Sequence, residues 1–102
     1  MSQRIALAAL ALALTAVTAA AQDRLDAVAA AVDRATATPR AETAAVERMA
    51  AFLGTTPEAL RAERASTRLG WGDVFLSHRI AGRGGHPVEK VFAARQIGRA
   101  HV

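Results

Sequence analysis

The chain of 102 residues contains no cysteine and no tyrosine, and it has only one tryptophan and three phenylalanines. Without cysteine it forms no disulfide and carries no thiolate nucleophile or thiolate metal ligand. Large apolar side chains are few once an N-terminal apolar run is set aside, so a thick hydrophobic core is excluded. Stability must therefore come from helix packing, from self-association or from a partner.

The first 21 residues have the organisation of a bacterial secretory signal peptide. Arg4 supplies a positive charge, and an uncharged apolar run of thirteen residues follows at 5–17. Its length fits the roughly 7–15 residues of the apolar region of a signal peptide and falls below the roughly 20 apolar residues that span a bilayer. Small residues at 19–21 suit signal peptidase, and the absence of cysteine excludes a lipobox. We therefore expect cleavage after Ala21, export to the periplasm or the cell exterior, and no stable membrane span afterwards; an uncleaved anchor is the alternative.

The last residues are expected to be foreign to the protein. Residues 97–102 read IGRAHV, which is the peptide that a widely used sequencing adapter encodes in one reading frame. Gln96 is compatible with the same adapter. We therefore expect residues 96–102 to be an adapter artefact and residues 22–95 to be a small helical domain that is truncated at its C-terminal end.

Alanine makes up about a quarter of the residues, and alanine is the strongest helix former. Downstream of the predicted cleavage point, apolar residues recur every three or four positions, which predicts one stripe on a first helix. This helix should end before Thr38, because a residue that precedes proline is pushed out of the helical region. The predicted stripe comprises Leu25, Val28, Ala29 and Val32.

Two threonine–proline pairs mark the starts of a second and a third helix. Thr38 and Thr56 are suitable N-caps, and the proline after each fits the first helical turn. Gly54 should end the second helix, and Gly70 should end the third helix after about Arg68. The side chains predicted to point inward from these two helices are Val46, Met49, Phe52, Leu53 and Leu60.

Glycines also delimit the last two predicted helices. Trp71 opens a fourth helix that should end in the glycine-rich residues 82–85, and His86 with the following proline opens a fifth. Prolines lie at predicted helix starts, glycines lie at predicted ends, and no segment alternates with period two. The sequence therefore predicts an all-α fold of short helices in antiparallel pairs, that is, helical hairpins. The apolar residues of the fifth helix are Val88, Val91 and Phe92.

A Gly-Trp-Gly unit lies in the second half of the chain. Residues 69–80 read LGWGDVFLSHRI, residues 88–95 read VEKVFAAR, and residues 52–60 read FLGTTPEAL. This pattern resembles a group of small secreted bacterial proteins with two or more units of Gly-Trp-Gly, an acidic and an aliphatic residue, separated by helices. The resemblance covers roughly residues 45–95 and implies an all-helical fold, without catalytic residues or an established biochemical role.

The chain departs from that group because it contains one unit only. Residues 57–64 and 87–95 are similar to each other, and each begins with proline and ends with arginine. This internal repeat predicts a second Gly-Trp-Gly unit shortly beyond Arg95, in keeping with the predicted truncation.

The first candidate site comprises Gly70, Trp71, Gly72 and Asp73. Trp71 could be an exposed platform that stacks on a sugar, a lipid headgroup or a peptide. Alternatively it anchors the interhelical turn in the core, with Gly70 as a left-handed cap and Gly72 allowing another segment to approach closely. We expect this second, structural role.

The second candidate site comprises Arg61, Arg64 and Arg68. They recur at i, i+3 and i+7 and therefore share one helix face, which Arg79 and Arg83 could join. Such a face could bind an anionic component of the cell envelope. The formal net charge of +4 falls by one when Arg4 is removed with the signal peptide, and the remaining excess weakly favours anionic surfaces. A solvated helix face has the same pattern, however, and two glutamates on the same helix moderate the charge.

Other chemistries find little support. Residues 49–60 imitate a helix-turn-helix, but export separates the protein from nucleic acid and the second helix lacks base-reading side chains. Asp73 and His78 lie about 140° apart around one helix, so together with His86 they predict no metal or acid–base site. The sequence has no His-x-x-x-His and no nucleophile motif. We therefore expect no enzyme, no cofactor and no bound metal.

Two functions remain. The first is a non-catalytic structural or interaction module that uses Trp71 and neighbouring apolar residues to pack against a repeat, a second copy or another partner. The second is an envelope-binding protein that docks its arginine face on anionic lipid or polysaccharide. Ionic strength separates them, because salt screens electrostatic docking but not apolar packing.

Overall fold

The computed structural model describes the backbone of residues 2–100 and the side chains of residues 19–98. This part of the chain is all-α, as predicted, with five helices and no strand. Side chains 1–18 of the predicted signal peptide and 99–102 of the predicted adapter segment lie outside the described residues. The helices are α1 (Ser2–Ala35), α2 (Pro39–Leu53), α3 (Pro57–Thr67), α4 (Trp71–Gly84) and α5 (Val88–Ala100).

Local capping chemistry sets the starts of α2 and α3, as predicted. The Ala41 N–H donates to Thr38 Oγ1 at 3.2 Å, and the Ala59 N–H donates to Thr56 Oγ1 at 3.1 Å. Each threonine thereby satisfies a first-turn N–H that has no partner within the helix. α2 ends at Gly54, whose φ of 71° lies in the left-handed region that glycine adopts without steric cost.

The end of α3 differs from the prediction. The left-handed residue is Arg68, with φ 60° and ψ 18°, and its N–H donates to the Arg64 carbonyl. Gly70 has φ −69° and ψ 165° and serves as the N-cap of α4, so the prediction that it is a left-handed cap is wrong. The left-handed turn lies two residues before the predicted position at Gly70. We attribute this to Leu69, which is buried in the core and reaches the core only if the chain leaves the helix at Arg68.

Neighbouring helices pair as expected, since α2 contacts α3 and α4 contacts α5. α4 ends at Gly85 with φ 66°, in the predicted glycine-rich segment. The most extensive packing joins α1 to α4, which are far apart in sequence. Among the residues whose side chains are described, no helix is long and apolar enough to cross a bilayer.

The core is small and collects side chains from α2, α3, α4 and α5. Two residues predicted to point inward do not: Phe52 is 62% exposed and Val28 is 41% exposed. Phe52 lies about 120° around α2 from the fully buried Val46, and Val28 lies about 100° around α1 from the buried Ala29. Both therefore fall beside the packed faces. The core cluster comprises Val46, Met49, Ala50, Leu60, Leu69, Trp71, Val74 and Phe92.

Candidate functional site

The Gly-Trp-Gly-Asp unit, residues 70–73, joins α1, α4 and α5 at the start of α4. Gly70 caps α4 but has no side chain with which to bind the first-turn N–H groups. Asp33 of α1 supplies the missing side-chain acceptor, because the Gly72 N–H donates to Asp33 Oδ1 at 2.9 Å. The positive end of the helix dipole also favours a carboxylate there. Asp33 thus caps α4 from a different helix.

Gly72 lets the backbones of α1 and α4 touch. A Cβ at this position would lie 2.2 Å from the Ala29 carbonyl oxygen and 2.7 Å from the carbonyl carbon of the same residue. Both are backbone atoms, so a rotamer change cannot relieve the overlap. The predicted close approach at Gly72 is therefore confirmed, and its partner is α1.

Trp71 lies in the core, with 3% of its surface exposed, so the structure does not support the exposed-platform interpretation. The Arg64 guanidinium carbon lies 5.1 Å from its ring centroid, in the geometry of a cation–π contact. Its indole N–H is buried, and no hydrogen-bond partner for it occurs among the described residues. Trp71 therefore contributes apolar area and holds Arg64, which is a structural role.

Asp73 is also buried, and Arg95 of α5 donates to its Oδ1 atom as one half of an ion pair. The Ser77 hydroxyl donates to the Asp73 carbonyl oxygen at 2.7 Å, within the same helix. Asp73 therefore ties α4 to α5.

The two histidines discussed with Asp73 lie elsewhere. His78 Nε2 lies 3.0 Å from both carboxylate oxygens of Glu63, and its ring packs edge-on against Phe92. His86 is exposed. Over the residues whose side chains are described, no group of three or more metal-ligating residues occurs.

The three predicted arginines, Arg61 and Arg64 of α3 and Arg68 directly after it, share one open groove, which we call the arginine groove. Its volume is about 420 Å³, within the roughly 300–1,000 Å³ of small-ligand sites. Within residues 19–98, none of the three guanidinium groups forms an ion pair. The groove is lined by Glu42, Arg61, Arg64, Ala65, Arg68, Leu69 and Trp71.

The sequence did not reveal two features of this groove. Trp71 belongs to it, so the two candidate sites that were predicted separately meet at Arg64. Glu42 supplies an acidic lining group from α2, and no local pattern connects it to α3. The only available signal was the short spacing between Arg68 and Trp71 along the chain.

Arg79 and Arg83 do not extend the arginine groove. They line a different groove, which shares no residue with it. The Arg79 guanidinium carbon lies 5.0 Å from the ring centroid of Phe52 on α2. α4 therefore directs these side chains toward the C-terminal end of α2 and away from the arginine face of α3.

Compared with models of known protein families, with curated proteins and with solved structures, the chain matches none of them. The resemblance to secreted proteins with repeated Gly-Trp-Gly units therefore stays a prediction.

Proposed function

We propose that this chain is an exported, non-catalytic helical interaction module whose arginine groove binds an anionic group of a cell-envelope component. The observation that carries the proposal is the convergence of Arg61, Arg64 and Arg68 on one open groove without an ion-pair partner among the described residues. A guanidinium presents a planar fork of N–H donors that matches phosphate and carboxylate oxygens. The groove therefore suits a ligand that carries one of these groups.

The backbone of Arg68 supports this proposal. A left-handed conformation is uncommon for a residue other than glycine, and glycine would adopt φ 60° without steric cost. Residues held in such conformations cluster at binding and active sites. Arginine at this position places a third cation in the groove lining, where stability alone favours glycine.

Two other lining residues refine the expected ligand. The contact with Trp71 restrains Arg64, and a restrained side chain loses less rotamer freedom on binding. Glu42 is the only acidic residue of the lining within residues 19–98, and its carboxylate accepts hydrogen bonds. A ligand with an anionic group and a neighbouring hydroxyl, as in a phosphatidylglycerol headgroup or an acidic sugar, could accept from the arginines and donate to Glu42.

Export is supported by the signal-peptide pattern of residues 1–21. Residues 19–24 are exposed in α1, and the first buried residue after them is Ala29. Cleavage after Ala21 would therefore leave the described contacts of α1 with α4 intact. Mass spectrometry of the product from a Gram-negative host should show Gln22 at the N-terminus, and a mature product that retains Arg4 would contradict export.

Co-sedimentation with lipid vesicles tests the binding site. The chain should bind phosphatidylglycerol vesicles more tightly than phosphatidylcholine vesicles, and binding should weaken from 0.1 M to 1 M salt, as the Debye length falls from about 10 Å to about 3 Å. The double variant Arg61→Gln/Arg68→Gln should lose at least about a hundredfold in affinity, because hydrogen bonds to charged groups contribute roughly 1.5–3 kcal/mol each and about 1.4 kcal/mol corresponds to a factor of ten. Polygalacturonate serves as the matching polysaccharide probe.

The matched control is the double variant Arg24→Gln/Arg34→Gln, which removes the same charge from exposed positions of α1. It should keep nearly the affinity of the unmodified chain. Equal losses in the two double variants would show that net charge alone drives binding, and salt-independent binding would favour apolar packing. Either result contradicts the proposal.

A further inference from the structure

A second surface runs along the seam between α2 and α4, away from the arginine groove. It begins as an apolar groove of about 320 Å³. Apolar side chains from α1, α2 and α4 supply most of its wall, and Arg48 of α2 is its one charged described lining residue; the apolar lining residues are Val32, Ala35, Ala45, Met49, Phe52 and Phe75. The Phe52 and Phe75 ring centroids lie 6.0 Å apart, yet 62% of Phe52 is exposed.

The seam continues past Phe52 as a basic groove of about 330 Å³. Phe52 lines both grooves and is the boundary between them. Phe75, Arg79 and Arg83 follow one another at four-residue intervals on α4, so they share one face and extend over about 12 Å of the helix axis. The other lining residues of the basic groove are Leu53, His78 and Gly82.

The seam is therefore mainly apolar in its first groove, where Arg48 is the one charged described residue, and carries two arginines in its second groove. Among the residues whose side chains are described, neither groove has an acidic lining residue. The Arg79 guanidinium stacks on the ring of Phe52 at 5.0 Å, which places a cation at the junction. An occupant that matches this surface has an apolar body and a negatively charged end. A second copy of this basic chain would instead bring like charges together at the arginine end.

We propose that this seam binds a single-chain anionic amphiphile, such as a fatty acid or a lysolipid, as a free monomer. The alkyl chain lies in the apolar groove, and the anionic head lies beyond Phe52 at Arg79 and Arg83. Each alkyl methylene that is removed from water makes the free energy of binding more favourable, and guanidinium groups bind carboxylate and phosphate heads. Because the seam shares no lining residue with the arginine groove, this proposal does not depend on the proposed function.

Isothermal titration of the full chain with octanoate, decanoate and laurate, each below its micelle concentration, tests the proposal. Affinity should rise about fourfold for each added methylene, which corresponds to roughly 0.8 kcal/mol per buried CH₂. Dodecyltrimethylammonium, with the same chain and a cationic head, should bind at least tenfold more weakly than laurate. An affinity that does not depend on chain length, or equal affinities for the two heads, would overturn the proposal.

Variants locate the site. Phe52→Ala should weaken laurate binding at least tenfold, whereas Ile97→Ala should leave it unchanged, because Ile97 is 61% exposed on α5 and lines neither groove. Arg79→Gln should weaken laurate binding, and Arg79→Lys should restore most of it. Phe52→Ala should still bind phosphatidylglycerol vesicles through the arginine groove, so the two proposals fail separately.

Two further results would also overturn the amphiphile site. One is binding of laurate only when it is embedded in vesicles, which would make the seam a membrane-docking surface. The other is a dimer in sedimentation that Phe52→Ala dissociates, which would make the seam a self-association interface.

Discussion

Replacing Gly72 by alanine adds a single methyl group at the contact between α1 and α4. The new Cβ would stand 2.2 Å from the Ala29 carbonyl oxygen, whereas ordinary contacts begin at 3.4 Å. The two helices must therefore separate locally by roughly 1.2 Å, because neither backbone atom can rotate away. Such a shift would also stretch the 2.9 Å hydrogen bond from the Gly72 N–H to Asp33.

The expected net loss of stability is about 1–3 kcal/mol. Overpacking a well-packed contact costs about 1–3 kcal/mol, and losing the cap from Asp33 costs about 1 kcal/mol. The better helix propensity of alanine offsets about 1 kcal/mol of this loss. For a domain of this size, the net loss corresponds to a fall in Tm of about 4–24 °C.

Gly82→Ala is the matched control on the same helix. A Cβ at Gly82 meets no atom within 4 Å, so only the gain in helix propensity remains and Tm should rise by a few degrees. Far-UV circular dichroism melts and urea titrations of both variants give the comparison. If Gly72→Ala is as stable as the unmodified chain, or shifts Tm in the same direction as Gly82→Ala, the backbones of α1 and α4 do not touch at Gly72.

Three further substitutions test the contacts of residues 70–73. Trp71→Ala should destabilise the fold by about 3–5 kcal/mol in urea titration, because it empties a core position; unchanged helicity and melting would refute its burial. Asp33→Ala should cost about 1 kcal/mol, as the loss of an N-cap does, whereas Asp33→Asn should retain most of the stability because its amide oxygen still accepts from Gly72. Arg95→Met should cost about 3 kcal/mol, because it removes the cation that faces the buried Asp73 carboxylate, and a neutral effect on Tm would contradict the tie between α4 and α5.

Features that depend on neighbouring residues were predictable from the sequence. Thr38 and Thr56 cap their helices through side chains three positions from their donors, so composition and spacing were sufficient. The same holds for Gly54 and the glycine-rich end of α4. Helical periodicity was sufficient to place Arg61 and Arg64 on one face of α3, whereas the prediction that Arg68 continues this helix face is wrong, because Arg68 follows the end of α3 in a left-handed conformation.

Features that depend on packing were not predictable. Phe52 fits the apolar spacing of α2, but its burial depends on where α3 and α4 pass, and neither covers it. The Asp33 cap joins residues 39 positions apart, and no pattern in a single sequence relates them. The position of the left-handed turn was also missed, because burial of Leu69 outweighs the preference for glycine at that conformation.

The substitution Arg68→Gly tests whether the arginine groove is the binding site, because stability and binding should change in opposite directions. Glycine relieves a left-handed backbone that costs about 1–2 kcal/mol for other residues, so Tm should rise by several degrees. The same change removes one of three cations from the arginine groove, so affinity for phosphatidylglycerol vesicles at 0.1 M salt should fall about tenfold. A variant with a higher Tm and weaker vesicle binding is the predicted result. Vesicle affinity that is unchanged or higher in Arg68→Gly would contradict the claim that this groove is the binding site.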